Sequence, residues 1–198
     1  KLNNNKNIEK LSLKDHIHNT KELLINAVDL RLISDVPLAL NLSGGIDSGA
    51  ICSIATKILG KRLETFSIVD TDKRYNESHL INKTAKDCGV RTNLIKLKKD
   101  INFFDILQKS TEYNYYPIFT ITNLIQYYLS SFVKKRGFKV VLSGSGADEI
   151  YGGYYDHYLM VFSELNKSDP KRLKEYMEVW LKNIKPNLRN KFFTKYNL

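Results

Sequence analysis

Pro37-Leu38-Ala39-Leu40-Asn41-Leu42-Ser43-Gly44-Gly45-Ile46-Asp47-Ser48-Gly49 decides how the rest of the chain is read. Residues 37–42 are short and mostly apolar, the pattern of a strand buried on both faces. A glycine turn follows. The next stretch, about Asp47 to Leu59, is helical in pattern and is stopped by Gly60. A strand that turns through glycines into a helix presents free N–H groups and the positive end of the helix dipole, which together favour an anion. Ser43 and Ser48 add hydroxyl donors.

The alternation continues in both directions from this stretch. Upstream, residues 1–11 are polar and Asn-rich and read as a linker or frayed start. Ser12 opens a helix, with Asp15 three residues on as an acidic capping-box partner. Its apolar stripe is Ile17, Leu23, Leu24, Ala27, Val28, Leu30 and Leu32, and Asp35-Val36-Pro37 ends it. Downstream, Leu63–Val69 reads as a second strand. Asn76–Cys88 reads as a helix, with Asn76 as its N-cap and Gly89 at its end. Thr92–Leu97 is a third strand. Helices at 101–110 and 121–135 are separated by Tyr113-Asn114-Tyr115-Tyr116-Pro117. Phe138–Leu142 is a fourth strand, again followed by glycines. After Tyr158 the pattern is helical, with Pro170 at a first helical position.

Strand and helix alternating through short loops imply an open, doubly wound α/β fold: a parallel sheet with helices on both faces, here followed by C-terminal helices. The expected organisation is a linker at 1–11, one α/β domain at 12–160 and a helical extension at 161–198. Ligands in such sheets bind at the carboxyl ends of the strands. The two glycine turns are therefore the places to look for chemistry. Seven of the ten glycines lie there: Gly44, Gly45, Gly49, Gly144, Gly146, Gly152 and Gly153.

Composition narrows the classes. The 198 residues are 42% hydrophobic and 26% charged, which excludes wholesale disorder, collagen and coiled coil. No apolar run reaches the roughly 18 residues of a membrane span. Two cysteines, Cys52 and Cys88, are too few for a disulfide scaffold and read as reduced core residues of a cytoplasmic protein. The net charge of +10 could serve a polyanion, but only seven of the 31 basic residues are arginine, the favoured base reader. A nucleic-acid partner is not expected.

Neither turn is a standard phosphate motif. Gly44-Gly45-Ile46-Asp47-Ser48-Gly49 has no Walker lysine, and Gly144-Ser145-Gly146-Ala147-Asp148-Glu149 has Glu149 where a dinucleotide fingerprint needs its third glycine. Each turn instead carries an acid, Asp47 or Asp148. A carboxylate beside bound phosphates repels them unless a divalent cation intervenes, and Mg²⁺ characteristically takes one or two carboxylates plus substrate phosphates.

Ser43-Gly44-Gly45-Ile46-Asp47-Ser48 resembles the SGGxDS loop of the PP-loop ATP pyrophosphatases. Three more features make the likeness narrower: Ser34-Asp35-Val36-Pro37 before the first strand, Tyr75-Asn76-Glu77-Ser78 at the start of a helix, and the long run from Val141 to Tyr154 around the second turn. Together they resemble the synthetase domain of glutamine-dependent asparagine synthetases, over about Leu30 to Tyr158. The resemblance implies that a substrate carboxylate attacks the α-phosphorus of ATP, and that ammonia then displaces AMP. It implies that Ser43, Gly44, Gly45, Asp47 and Ser48, with Ser143 of the second turn, hold pyrophosphate. Leu42, Ile68 and Gly144 would flank the adenosine, and Asp47 and Asp148 would bind Mg²⁺.

The departures matter equally. Family members commonly carry an acid between the glycines of the second turn, where Ser145 stands. A serine cannot act as a carboxylate base, so the acceptor and the amide-forming step stay open, with Glu149 a candidate substitute. Aspartate and a sugar acid such as a uronic acid both remain as acceptor. So do a tRNA-modifying PP-loop enzyme and a non-catalytic ATP-binding module. The resemblance also implies a glutaminase domain, absent here, as ammonia source, a late lysine beyond Leu198, and hence that the chain is a piece of a longer enzyme. A homodimer is compatible with all of these.

Overall fold

The structure is a computed structural model that describes residues 11–97 and 101–187. The expected linker therefore lies, but for Leu11, outside the described residues, as does the end of the helical extension. The chain divides into two compact units, one up to Gly144 and one from Ser145 onward, so the division falls inside the span read above as one domain.

The first unit opens with α1 (Leu13–Arg31). Its start is the capping box read from sequence. Ser12 Oγ accepts from the Asp15 amide at 3.2 Å, and the Ser12 amide donates to Asp15 Oδ2 at 3.0 Å. The helix stops at Leu32, before the Pro37 signal. Its contact face is narrower than the expected stripe. Leu24, Val28 and Leu32, spaced by one turn, pack on Ile54 and Ala55, whereas Leu23 and Leu30, a residue or two off that line, stay exposed.

Four strands follow, interleaved with helices: β1 (Leu38–Asn41), β2 (Glu64–Val69), β3 (Arg91–Lys96) and β4 (Val140–Leu142). All pairings are parallel and the order is β3-β2-β1-β4. Leu40 stands opposite Thr65 on one side and Leu142 on the other. Helices cover both faces, as the apolar strands require. On one face Leu40, Leu42 and Val69 pack against Cys52 of α2 (Ile46–Ser53) and Ile81, Ala85 and Cys88 of α3 (Ser78–Cys88). On the other, Ala39, Phe66 and Ile95 pack against Leu129 and Val133 of α5 (Ile121–Lys135).

Several boundaries differ from the sequence reading. The helix after the first glycine turn runs on to Ile58, but its last five residues form a π-helical turn. At α3 the cap residue is Glu77, not Asn76. Asn76 Oδ1 instead accepts from the Ser78 amide at 2.9 Å, and its Nδ2 donates to the Asp70 carbonyl. The side chain thus makes an Asx turn and ties the helix start to the end of β2. α4 (Phe103–Asn114) runs four residues past the expected stop at Ser110. Nothing before Pro117 breaks a helix, and Tyr115, in the left-handed conformation at φ 58°, ends it.

The second unit holds α6 (Ala147–Tyr151), α7 (Tyr155–Ser168) and α8 (Pro170–Asn183). The five-residue α6 was not foreseen. Pro170 does sit in the first turn of α8, where Asp169 Oδ1 accepts from the Arg172 amide at 3.0 Å. Phe162 of α7 meets Tyr176 and Trp180 of α8 edge to face. Among the described residues no helix is long and apolar enough to cross a membrane.

Candidate active site

The strand order creates one crevice. From β1 the chain steps to β2 and β3 in one direction, then returns to add β4 on the other side of β1. Ligands of open α/β sheets bind where the order reverses, outside the carboxyl ends. Here that point lies between β1 and β4, and both glycine turns leave from it.

The loop after β1 is closed by its own serines. Ser48, only 4% exposed, accepts the Ser43 amide on its Oγ at 3.0 Å, and its hydroxyl lies 2.8 Å from Ser43 Oγ. Ser43 Oγ in turn accepts the Gly45 amide at 3.2 Å. The Gly44 amide donates outward, to Glu77 Oε2 at 3.2 Å. The amides of Ser43, Gly44 and Gly45 are thus engaged before any anion arrives. Ile46, Asp47 and Ser48 open α2, and first-turn amides have no intrahelical acceptor. These amides and the two hydroxyls are what the loop offers an anion. The half-buried Asp47 places its carboxyl in the same turn.

The second loop meets the first within the same unit. A Cβ on Gly144 would stand 2.9 Å from the Ser48 amide nitrogen and 3.1 Å from Asp47 Cβ. Only glycine allows that approach. Ser143, exposed, is the first residue beyond β4.

The remaining residues of the second loop belong to the second unit. Ser145 is exposed and Asp148 half-buried in α6. A Cβ on Gly153 would run into the Asp148 carboxylate, so the Gly152-Gly153 pair lets the chain fold over that acid. Glu149 Oε1 accepts the Tyr154 hydroxyl at 2.7 Å, and this bond holds its carboxyl below the usual range. The Gly153 amide donates to His157 Nδ1 at 3.2 Å, which leaves any proton of a neutral imidazole on Nε2.

Leu42 and Ile68, read as flanks of the adenosine, are not alike. Leu42 is 2% exposed, its side chain lies in the core, its amide donates to Phe66 O and its carbonyl accepts Ser67 Oγ at 2.6 Å. Ile68 is half-buried at the end of β2. Two polar residues, Glu77 at the start of α3 and Asn41 at the end of β1, were given no site role by the sequence reading. Glu77 was read as an acid at a helix start and as part of the Tyr75–Ser78 run that carries the family likeness, with no part in the site. Asn41, last in β1, keeps a buried Oδ1 with no hydrogen-bond partner among the described residues. An asparagine closing an otherwise apolar strand was the available signal.

Two of the clefts in this unit are lined by residues discussed above. One of about 410 Å³ runs from Gly44 and Gly45 along α2 to Lys57, facing Thr84 and Asp87 of α3. The other, about 390 Å³, is lined by Tyr113, Tyr116, Asn123, Gln126 and Tyr127, so part of the Tyr-rich break lines a pocket. Among the described residues no three His, Cys, Asp or Glu side chains gather as a metal cage. Mg²⁺ does not need one, since carboxylate oxygens plus substrate phosphates suffice, and aspartates are the hard oxygen donors it takes.

A parallel sheet with a serine–glycine turn at its switch point defines an open, doubly wound α/β domain. The profile described as "Asparagine synthase" matches residues 19–196, and the chain belongs to that family. The amidase chry2 of Gibberella zeae is 31% identical over 148 residues, 68% of this chain and 22% of that protein. Asparagine synthetase (glutamine-hydrolyzing) 1 of Bacillus subtilis is 31% identical over 138 residues, 70% of this chain and 21% of that protein. The chain spans 21–32% of the length of these and other curated relatives. Among solved structures, NMN synthetase from Francisella tularensis superposes with a TM-score of 0.46 at 18% identity, covering 74% of this chain and 60% of that one.

Proposed function

We propose that this chain is the ATP-activating part of an amide-forming ligase of asparagine-synthetase type. A substrate carboxylate oxygen attacks the α-phosphorus of ATP, and the bond to the bridging oxygen of the β-phosphate breaks. An acyl-adenylate and pyrophosphate result. Ammonia then attacks the acyl carbon, AMP leaves with the bonding pair, and a proton is lost to give the amide. Aspartate is the favoured carboxylate, which would give asparagine. The ammonia would come from glutamine hydrolysed in another domain.

The observation that carries the reading is the approach of Gly144 to the Ser48 amide, which seats two glycine turns against one another at the switch point. The first-turn amides of α2 and the hydroxyls of Ser43 and Ser48 are fixed donors for the charge that grows on the departing pyrophosphate. Asp47 in the first unit and Asp148 in the second would each be a carboxylate candidate for Mg²⁺. When bound, the ion would neutralise β- and γ-phosphate charge. Ser145 and Glu149 are the groups for the later proton step, and Glu149, kept ionised by Tyr154, is the better acceptor.

ATP–pyrophosphate exchange on the full-length enzyme, with a panel of carboxylates, tests this. Aspartate-dependent exchange supports asparagine formation. Exchange only with a uronic acid moves the acceptor to sugar acids, a reading that Ser145 leaves open. RNA-dependent exchange would indicate a tRNA-modifying enzyme, and nucleotide binding without exchange a non-catalytic module. Asp47→Asn is expected to abolish exchange while leaving the unfolding midpoint unchanged.

A further inference from the structure

Among the bonds described for the first loop, one is not local. The Gly44 amide reaches Glu77 Oε2 across 33 residues of sequence. The contact is packed as well as polar. A Cβ on Gly44 would come within 2.8 Å of Glu77 Cβ and 3.2 Å of Leu80 Cβ, so the loop rests directly on the first turn of α3. Glu77 itself stands on a fixed base. Its carbonyl accepts the Leu80 and Ile81 amides, each at 3.0 Å. Its neighbour Asn76 bonds both the Ser78 amide and the Asp70 carbonyl.

The geometry points to Glu77 as the positioning residue of the anion loop: its carboxylate braces Gly44 and thereby sets the first-turn amides of α2 for a polyphosphate. The inference rests on the reading of that loop given above. An anchored base makes a brace rather than a swinging gate. The charge itself does not help, because it stands beside the seat of another anion. What the loop needs is the acceptor oxygen at that reach. Glutamine retains both reach and acceptor, aspartate falls short by one methylene, and alanine has neither.

The test uses the full chain with Glu77→Gln, Glu77→Asp and Glu77→Ala and reads three quantities. These are hydrogen exchange of the Gly44 amide by NMR, affinity for inorganic pyrophosphate with MgCl₂ by calorimetry, and the thermal midpoint. In Ala and Asp, Gly44 exchange is expected to accelerate about tenfold or more and pyrophosphate to bind about tenfold more weakly, with Gln within about threefold of wild type on both. Unchanged Gly44 exchange in Glu77→Ala overturns the brace. So does a parallel fall of the midpoint in all three variants with Gly44 still protected, which would mark Glu77 as support for α3 alone. If the wild type binds no pyrophosphate while Gly44 exchange follows the expected order, the brace stands and the polyphosphate reading of the loop falls.

Discussion

Gly144 and Ser48 lie so close that a single methyl on Gly144 would stand 2.9 Å from the Ser48 amide nitrogen. The two residues are almost a hundred positions apart in the chain. They meet because Leu40 and Leu142 are register partners in adjacent parallel strands, so both strands release their loops at the same level. The neighbour is backbone at a helix start and cannot rotate away as a flexible side chain would. Gly144→Ala is therefore expected to lower stability by about 1–3 kcal/mol and to reduce pyrophosphate exchange. Urea unfolding and exchange rates check it, and a variant equal to wild type in both would mean the loops have slack.

Ser67→Ala probes how β2 holds the start of the first loop. Ser67 is buried, and its hydroxyl donates to the Leu42 carbonyl at 2.6 Å. Removing it leaves that carbonyl one donor short in a dry site. We expect a loss of about 1–3 kcal/mol by chemical denaturation, and no measurable loss would mean that water enters to replace the hydroxyl.

Cys52 should resist chemistry that exposed thiols undergo. Burial pushes its thiol up to about 12, with Cys88 nearby adding to the shift. The unfolded thiol ionises near 9.0. Between those values the unfolded chain holds fewer protons than the folded one, so stability falls as pH rises. This contribution is complete below pH 9 and is lost towards pH 12. Iodoacetamide at pH 8 should label Cys52 slowly in the native protein and rapidly in denaturant. Rapid native labelling would contradict the burial. Cys52→Ala should flatten part of the alkaline slope.

Ser12→Ala tests a purely local device. The variant loses the acceptor for the Asp15 amide, and about 1 kcal/mol of stability should go with it. Because Asp15 is held below its usual range chiefly by the Ser12 hydroxyl, the difference between variant and wild type should shrink as pH falls and Asp15 takes up its proton. Acid titrations followed by circular dichroism would read both, and a constant difference down to pH 2 would reject the assignment.

Much of the fold was legible where its causes are local. The Ser12–Asp15 box, Gly60 and Gly89 in left-handed conformation and Pro170 behind Asp169 each act over a few residues, and the structure has them where the pattern placed them. The two-sided burial of Ala39 and Leu40 was visible as an apolar run without alternation. The misreadings fall where two local signals compete. Asn76 could cap a helix or make an Asx turn, and only the Asp70 carbonyl, supplied by the end of β2, settled it. At α4 the expected stop at Ser110 had no breaker behind it, and the helix runs on to Asn114 and ends at the left-handed Tyr115.

Taken alone, the sequence determined the kind of structure: alternating strands and helices, a parallel sheet, and serine–glycine turns rich enough in small residues to receive an anion. Tertiary structure decided the partnerships. It set β4 beside β1, carried Gly144 to Ser48, placed Ser67 under Leu42 and brought Glu77 to Gly44. The division has a physical cause. Caps, turns and periodicity are governed by interactions within about a turn of the chain, which residue identity specifies. Contacts between distant segments depend on which faces pack, and many arrangements of the same apolar faces satisfy the same local pattern.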